Sequence, residues 1–284
     1  MLLVLAANPL SGSGGTSREQ VVRHLAEAGA DVKTLELDEL AENLPGDAQR
    51  IVVAGGDGSI GAAARVAHDA GLPLAVVPTG TANDFVRALE LPLDVRAACE
   101  LAADPDAGTR HHEVGLVGNH PFVNMAAAGL SAVASSHAEA HKPTLGPLAY
   151  AVGALKAGAR AAPVHCTVRC DGEQRFAGEA WQLVVGVTGA FGGGSAIGGT
   201  RIDDAELDVA IVPRSRRAAL VRYAYGMRRG KLTSQRRVAH YRGHVIEVDL
   251  PAGQRFNVDG DLREFRPARF TLLTGGVEVV VGQG

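Results

Sequence analysis

Two short segments carry the residues of this chain that are best suited to chemistry. Each follows an apolar, β-branched run and adds a carboxylate to a glycine-containing turn: Gly55-Gly56-Asp57-Gly58-Ser59 and Gly80-Thr81-Ala82-Asn83-Asp84. Glycine lets the backbone approach a phosphate and direct its N–H groups at it. Asp57 would repel a phosphate, so we expect it to handle a metal ion or a hydroxyl proton. Together the segments predict a site that binds a nucleotide and moves its phosphoryl group.

A third glycine-rich segment follows the first apolar run and reads Asn8-Pro9-Leu10-Ser11-Gly12-Ser13-Gly14-Gly15. It lacks both the Gly-Lys-Ser/Thr of a P-loop and the third glycine of the dinucleotide fingerprint. Alone, it fits a flexible turn as well as a phosphate cradle. Three such loops at the carboxyl ends of predicted strands favour phosphate binding, because open parallel sheets bind ligands at that edge.

The elements that must position these loops alternate over residues 1–110. Apolar runs predict strands at 2–7, 32–37, 51–54 and 74–77, and periodic segments predict helices at 17–29 and 61–70 and from residue 83. This alternation predicts an α/β domain with a doubly wound parallel sheet. Over residues 111–284, many short strands separated by turns predict an antiparallel β-sandwich domain. We place the domain boundary near 104–113, where 104–109 reads as a linker, and leave open whether the last strand, 277–281, returns to the first domain.

Composition narrows the class of protein. The chain has 284 residues, 46% of them hydrophobic and 21% charged, with a net charge of −3. No overall positive field is present, so we expect no nucleic-acid partner. The three cysteines show neither pairing nor metal-ligand spacing, which indicates free thiols and a cytoplasmic protein. No apolar run approaches the roughly 18 residues of a membrane span, so any membrane contact should be peripheral and transient.

Beyond these inferences, the glycine-containing segments resemble those of the diacylglycerol kinase catalytic domain, and more narrowly of small soluble bacterial lipid kinases of the diacylglycerol kinase and YegS type. The resemblance rests on the Gly-Gly-Asp-Gly-Ser segment, on Pro78-Thr79-Gly80-Thr81-Ala82-Asn83-Asp84-Phe85-Val86-Arg87, and on the opening Asn-Pro-x-Ser-Gly. The segments 192–194, 203–209 and 258–261 are similar to later parts of that family in the same order. The resemblance therefore spans almost the whole chain.

The resemblance implies ATP and Mg²⁺ as cofactors and the hydroxyl of a membrane lipid as acceptor, with diacylglycerol favoured and phosphatidic acid as its product. It places Asp57 at the reaction centre beside Mg²⁺. It makes Asp259 or Asp261 the base, a choice that the sequence leaves open. The ATP-binding residues it implies are Asn8, Pro9, Ser11, Gly12, Gly55, Gly56, Gly58, Ser59, Gly80, Thr81, Asn83 and Asp84. A structural Mg²⁺ is implied near Arg201, Asp204 and Glu206.

Three departures from the family pattern bear on the activity. Ser59 replaces a threonine, Gly61 and Ala62 replace a polar pair, and Asp261 replaces a glutamate that is one methylene longer. Two alternatives share part of the signal: a phosphofructokinase- or NAD-kinase-like small-molecule kinase, and a catalytically silent protein that binds lipid or nucleotide. The all-β second half and the Pro-x-Gly-Thr-x-Asn-Asp-Phe run favour the lipid kinase.

A basic segment interrupts this otherwise acidic chain. Residues 214–237 hold nine of the 28 Lys and Arg residues, and no Asp or Glu occurs from 209 to 246. The nine are Arg214, Arg216, Arg217, Arg222, Arg228, Arg229, Lys231, Arg236 and Arg237. The segment fits either a docking surface for an anionic membrane or a solvated basic helix. The oligomeric state stays open, a homodimer included.

Overall fold

The computed structural model describes residues 1–7, 16–130, 162–191, 195–197 and 204–282. They form two compact units. Unit 1 comprises Met1–Val114, His120–Val123 and Leu273–Gly284, and unit 2 comprises Gly115–Asn119 and Asn124–Leu272.

The elements of the first half are β1 (Leu2–Ala7), α1 (Arg18–Glu27), β2 (Asp31–Glu36), α2 (Leu40–Asn43), β3 (Arg50–Gly55), α3 (Asp57–Ala70), β4 (Leu74–Pro78), α4 (Asp84–Ala88), α5 (Val95–Ala103), β5 (Gly108–His112), β6 (Gly115–Val117), β7 (His120–Phe122) and β8 (Met125–Gly129). Those of the second half are β9 (Val164–Cys170), β10 (Glu173–Gly186), β11 (Ala190–Phe191), β12 (Ser195–Ala196), β13 (Leu207–Pro213), α6 (Ala219–Arg228), β14 (Ala239–Gly243), β15 (Ile246–Asp249), β16 (Phe256–Val258), β17 (Asp261–Arg263), β18 (Ala268–Leu272) and β19 (Val277–Val281).

Unit 1 is built on a six-stranded sheet in the order β2-β1-β3-β4-β19-β5. Strands β1 to β4 are parallel, and β5 runs antiparallel to β19 at one edge. Alternate side chains of a strand enter cores on opposite faces: Leu3 and Leu5 of β1 lie in one cluster, and Val4 lies in the other. Burial on both faces explains the continuous apolar runs and confirms the predicted doubly wound α/β domain.

The helix after β3 begins earlier than the sequence pattern predicts. Asp57 opens α3, whereas the alanine-rich pattern placed its start at residue 61. The N-cap is Gly56, in an extended conformation. The first chemistry-bearing segment is therefore a strand end followed by the first turn of a helix, which leaves backbone N–H groups without intrahelical partners at its tip.

Half of the segment 104–113, where the sequence places the domain boundary, belongs to the sheet of unit 1. Gly108–His112 forms β5 and pairs with β19, with His112 opposite Val277. His112 is 1% exposed, and its ring packs edge-on against Phe85, with centroids 4.9 Å apart. Paired backbone and a buried ring fix this segment within unit 1. The last strand, left open by the sequence, lies in the same sheet.

Unit 2 confirms the predicted antiparallel β architecture. Its strands follow the order β17-β16-β8-β10-β9-β15-β18-β6, and β13 pairs with both β10 and β14. α6 packs against this sheet through a core that includes Trp181 and Tyr223. The sequence pattern also predicts a helix over 145–161, a stretch that lies outside the described residues. Within the described part of the chain, no helix combines the length and the hydropathy that a membrane crossing requires.

Candidate active site

In unit 1, the loops that follow β3 and β4 meet backbone to backbone. A Cβ on Gly80 would lie 2.5 Å from the Cα of Gly56, and a Cβ on Gly55 would lie 2.7 Å from the Cβ of Ser59. The N–H of Thr79 donates to the carbonyl of Gly55 at 3.2 Å. A side chain at Gly80 would force the two loops apart, and one at Gly55 would clash with Ser59 within the first loop. The absence of a side chain at Gly80 therefore permits the close approach that brings the two segments together.

The Asp57 carboxylate ties the second loop to the first. Its Oδ1 accepts the N–H of Phe85 at 2.9 Å, and its Oδ2 accepts the N–H of Asp84 at 3.2 Å. Both N–H groups belong to the first turn of α4, whose N-cap residue, Asn83, makes no side-chain cap of its own. Asp57 thus caps a helix that begins 27 residues later in the chain, and it is held at the edge where β3 and β4 end.

Two buried polar atoms beside this bridge have no hydrogen-bond partner: Thr79 Oγ1 and Asn83 Oδ1. Asn83 lies in the left-handed region, with φ at 50°, and its Nδ2 donates to the Gly80 carbonyl at 3.0 Å. An unpaired buried polar atom costs about 1–3 kcal/mol, which a polar ligand would recover. Thr79 is absent from the predicted nucleotide-binding residues, although it stands inside the Pro-x-Gly-Thr run. Its place between a buried strand and Gly80 was the available signal.

The donor set at this edge fits a nucleotide phosphate with a magnesium ion. Mg²⁺ usually binds one or two protein carboxylates and takes its other oxygens from phosphates and water. Asp57 offers a carboxylate of fixed orientation, and Thr79 and Asn83 offer neighbouring oxygens. Of the other predicted nucleotide-binding residues, Gly58 and Thr81 are exposed and Ser59 is half-buried. Asn8, Pro9, Ser11 and Gly12 lie outside the described residues.

The two candidate bases, in unit 2, differ sharply in environment. Asp259 is half-buried and left-handed, with φ at 46°, and its Oδ1 accepts the N–H of Met125 at 2.9 Å and that of Asn124 at 3.2 Å. Its own N–H donates to the Met125 carbonyl at 3.1 Å. Asp261 is exposed on β17, where its Oδ2 lies 3.6 Å from Nη2 of Arg263. The carboxylate of Asp259 is anchored to β8, and that of Asp261 faces solvent.

A buried polar pair supports the anchor of Asp259. Asn124 is 2% exposed, and its Oδ1 accepts the hydroxyl of Thr188 at 2.9 Å. The Asn124 carbonyl accepts the N–H of Val187 at 2.9 Å. Asn124 therefore connects the strand end of β10 to the loop that holds Asp259. Sequence reasoning missed both residues, because a lone Asn and a lone Thr after apolar runs carry no distinguishing pattern.

The predicted structural magnesium ligands contact a guanidinium. Arg242 forms an ion pair with Asp204, and its Nη1 lies 3.1 Å from Oε2 of Glu206. Asp208, directly opposite Arg242 in the β13–β14 ladder, is fully buried and contacts His240 at 2.5 Å. The carboxylates of Asp204 and Glu206 are thus paired with a guanidinium of the chain itself. No group of three or more His, Cys, Asp or Glu side chains forms a metal-holding cluster among the described residues.

The metal assignment of Asp204 and Glu206 stays an untested prediction. Arg201 and the glycines at 192–194 lie outside the described residues.

Family comparisons agree with this architecture. Residues 124–281 match the YegS C-terminal NAD kinase beta sandwich-like domain, and residues 2–115 match the diacylglycerol kinase catalytic domain. The chain belongs to the YegS-like diacylglycerol kinase family. The resemblance drawn from the sequence is thereby confirmed. Membership of this family places the chain among kinases.

Individual relatives of this family member are distant in sequence. A diacylglycerol kinase of Staphylococcus epidermidis is 29% identical over 233 residues, which cover 81% of this chain and 73% of the relative. A crystal structure of a putative diacylglycerol kinase from Bacillus anthracis has a TM-score of 0.78 at 21% identity and covers 98% of this chain and 96% of its own. An NAD kinase from Archaeoglobus fulgidus, solved with ATP, has a TM-score of 0.52 at 12% identity, with 100% and 94% covered. The two structures show that the fold is shared.

Proposed function

We propose that this family member is an ATP-dependent lipid kinase that transfers the γ-phosphoryl group to the hydroxyl of diacylglycerol and yields phosphatidic acid. The observation that carries the proposal is the Asp57 bridge, which joins two glycine loops at the carboxyl edge of a parallel sheet. Open sheets bind nucleotides at that edge. The names of the curated relatives favour diacylglycerol as the acceptor.

The residues of the first site would act through positioning and charge. Phosphoryl transfer asks a protein chiefly to align its reactants and to neutralise charge. Gly56 and Gly80 leave the backbone open to the phosphates. The side-chain oxygens of Thr79 and Asn83 would form hydrogen bonds with the nucleotide or with water bound to it. Mg²⁺, when bound beside Asp57, would neutralise the phosphate oxygens. The bridge to α4 holds the Asp57 carboxylate in place before any ligand binds.

We assign the general base to Asp261 and an anchoring role to Asp259. A base must reach a proton of the acceptor, and both N–H contacts of Asp259 commit its carboxylate to β8. Asp261→Asn should lower kcat by about 10²–10⁴-fold without changing stability, because it removes a base from an exposed position. Asp259→Asn should lower thermal stability, and Asp261→Glu should keep activity. Full activity in Asp261→Asn would refute the assignment.

The test of the function is transfer of labelled γ-phosphate from ATP to lipids in mixed micelles with Mg²⁺. Diacylglycerol, ceramide, a sphingoid base, phosphatidylglycerol and a polyprenol form the acceptor panel, and fructose 6-phosphate and NAD are included as soluble acceptors. Labelled phosphatidic acid is the expected product. Label in a soluble acceptor would assign the chain to a small-molecule kinase. Nucleotide binding without any labelled product would favour a silent binder.

A further inference from the structure

The helix α6 presents two apolar faces, of which its own unit covers one. Leu220 and Tyr223 are 9% and 3% exposed and pack into the core that contains Trp181. Val221 and Tyr225, one turn apart, are 50% and 58% exposed. Among the described residues, the only other large hydrophobic side chain this exposed is Leu93. Two of three such side chains therefore share one face of one helix.

Basic side chains surround this exposed pair. All nine Lys and Arg residues between 214 and 237 are exposed. Three of them, Arg222, Arg229 and Lys231, line a cavity of 260 Å³ beside Tyr225. The Arg229 guanidinium lies 4.7 Å from the centroid of the Tyr225 ring. Arg214, which precedes the helix, pairs with the carboxylate of Glu179. The surface thus combines an exposed aromatic ring with concentrated positive charge.

We propose that this surface, defined by Val221, Arg222, Tyr225, Arg229 and Lys231 and called the α6 face, docks the protein on an anionic phospholipid bilayer. The proposal rests on the proposed function, because a lipid acceptor resides in a bilayer. Tyrosine favours the headgroup level of a membrane, and Lys and Arg near the surface attract anionic lipids.

Charge and apolar exposure together favour a bilayer over a solvated helix. A helix that only needs solvation gains nothing from exposing Val221 and Tyr225, since burial of apolar surface is favourable. Two modest apolar side chains and a few basic ones give reversible adsorption rather than stable insertion. The α6 face should therefore bind and release the membrane, and its affinity should fall as salt screens the charges.

The test measures sedimentation of the full chain with phosphatidylcholine vesicles that contain or lack phosphatidylglycerol, without ATP. The wild-type protein should bind the vesicles that contain phosphatidylglycerol and should not bind those that lack it. Each basic residue near the surface contributes about fivefold in affinity, so the Arg222→Gln, Arg229→Gln double variant should bind about 30-fold more weakly. The matched control is Arg23→Gln, Lys33→Gln, which removes two exposed positive charges from unit 1 and should bind like wild type.

Several outcomes would overturn the proposal: no binding by wild type, equal weakening in both double variants, or tighter binding to duplex DNA than to vesicles. Tyr225→Ser should also weaken vesicle binding. An unchanged affinity in this variant would show that the Tyr225 ring does not contact the membrane. The α6 variants should retain wild-type activity on a monomeric, short-chain diacylglycerol. If the α6 variants lose vesicle binding but keep this activity, the result supports membrane docking by the α6 face. If the wild-type protein binds vesicles but phosphorylates no lipid, the result contradicts the proposed function and leaves the docking proposal standing.

Discussion

Asp57→Asn should impair both the reaction and the fold of unit 1. The side-chain amide keeps one acceptor oxygen, so one of the two N–H groups of α4, on Asp84 or Phe85, would face an NH₂ donor. A hydrogen bond to a charged group contributes about 1.5–3 kcal/mol, and an unpaired buried donor costs about 1–3 kcal/mol. We therefore expect the free energy of unfolding to fall by about 1–3 kcal/mol and Tm by about 3–10 °C.

The variant should still fold, because domains of this size are stable by about 5–15 kcal/mol. Phosphoryl transfer should fall by at least about 10²-fold, since the fixed charge at the phosphate edge is lost. Calorimetry gives Tm, and the labelled-ATP assay gives the rate. The matched control is Asp69→Asn, which removes an exposed carboxylate paired with Arg65 at 2.9 Å and should cost about 0.3–0.5 kcal/mol. An unchanged Tm would refute the bridge, and full activity would refute the catalytic role.

Other predictions concern single sites. Glu90 holds the left-handed position after α4, with φ at 58°, so Glu90→Gly should raise the free energy of unfolding by about 0.5–1 kcal/mol in denaturant titrations, whereas Glu90→Ala should bring no gain. Burial lowers the pKa of His112 to about 4. Between pH 6.5 and 4, the imidazole of His112 is therefore protonated in the unfolded state and neutral in the folded state. The free energy of unfolding should decline by up to about 1.4 kcal/mol per pH unit as pH falls through this range, and His112→Gln should flatten this dependence. Burial raises the pKa of the Cys99 thiol to about 12, and those of Cys166 and Cys170 to about 11, so a thiol reagent should modify these cysteines at pH 8 only after denaturation; fast labelling of the native protein would contradict their burial.

The fold was predictable because its signals are local and repeated. Apolar runs such as β1 and β3 are buried on both faces, and this environment imposes continuous hydrophobicity on a strand. The boundaries were less predictable. The apolar pattern that starts at Gly61 marks the buried face of α3. Asp57, Gly58 and Ser59 form the first turn of this helix, which faces the site and therefore lacks regularly spaced apolar residues.

The departure at Gly61 becomes intelligible only in three dimensions. A Cβ there would lie 3.0 Å from the Pro121 carbonyl oxygen and 3.3 Å from the Cα of Phe122. The polar residue of the family pattern would therefore displace β7, which packs directly on α3. Sequence comparison alone presented this position as a missing polar group; the structure shows a helix that uses glycine to admit a neighbouring backbone.

The contacts that define the two sites could not be predicted, because they join residues far apart in the chain. Asp57 meets amides 27 and 28 residues later, and Asp259 meets amides 135 and 134 residues earlier. In the sequence, Asp259 and Asp261 are equivalent carboxylates on either side of a glycine. A left-handed backbone at Asp259 turns one carboxylate onto the N–H groups of β8, and the return into β17 exposes the other. Their different environments follow from backbone conformation, which their side-chain chemistry does not reveal.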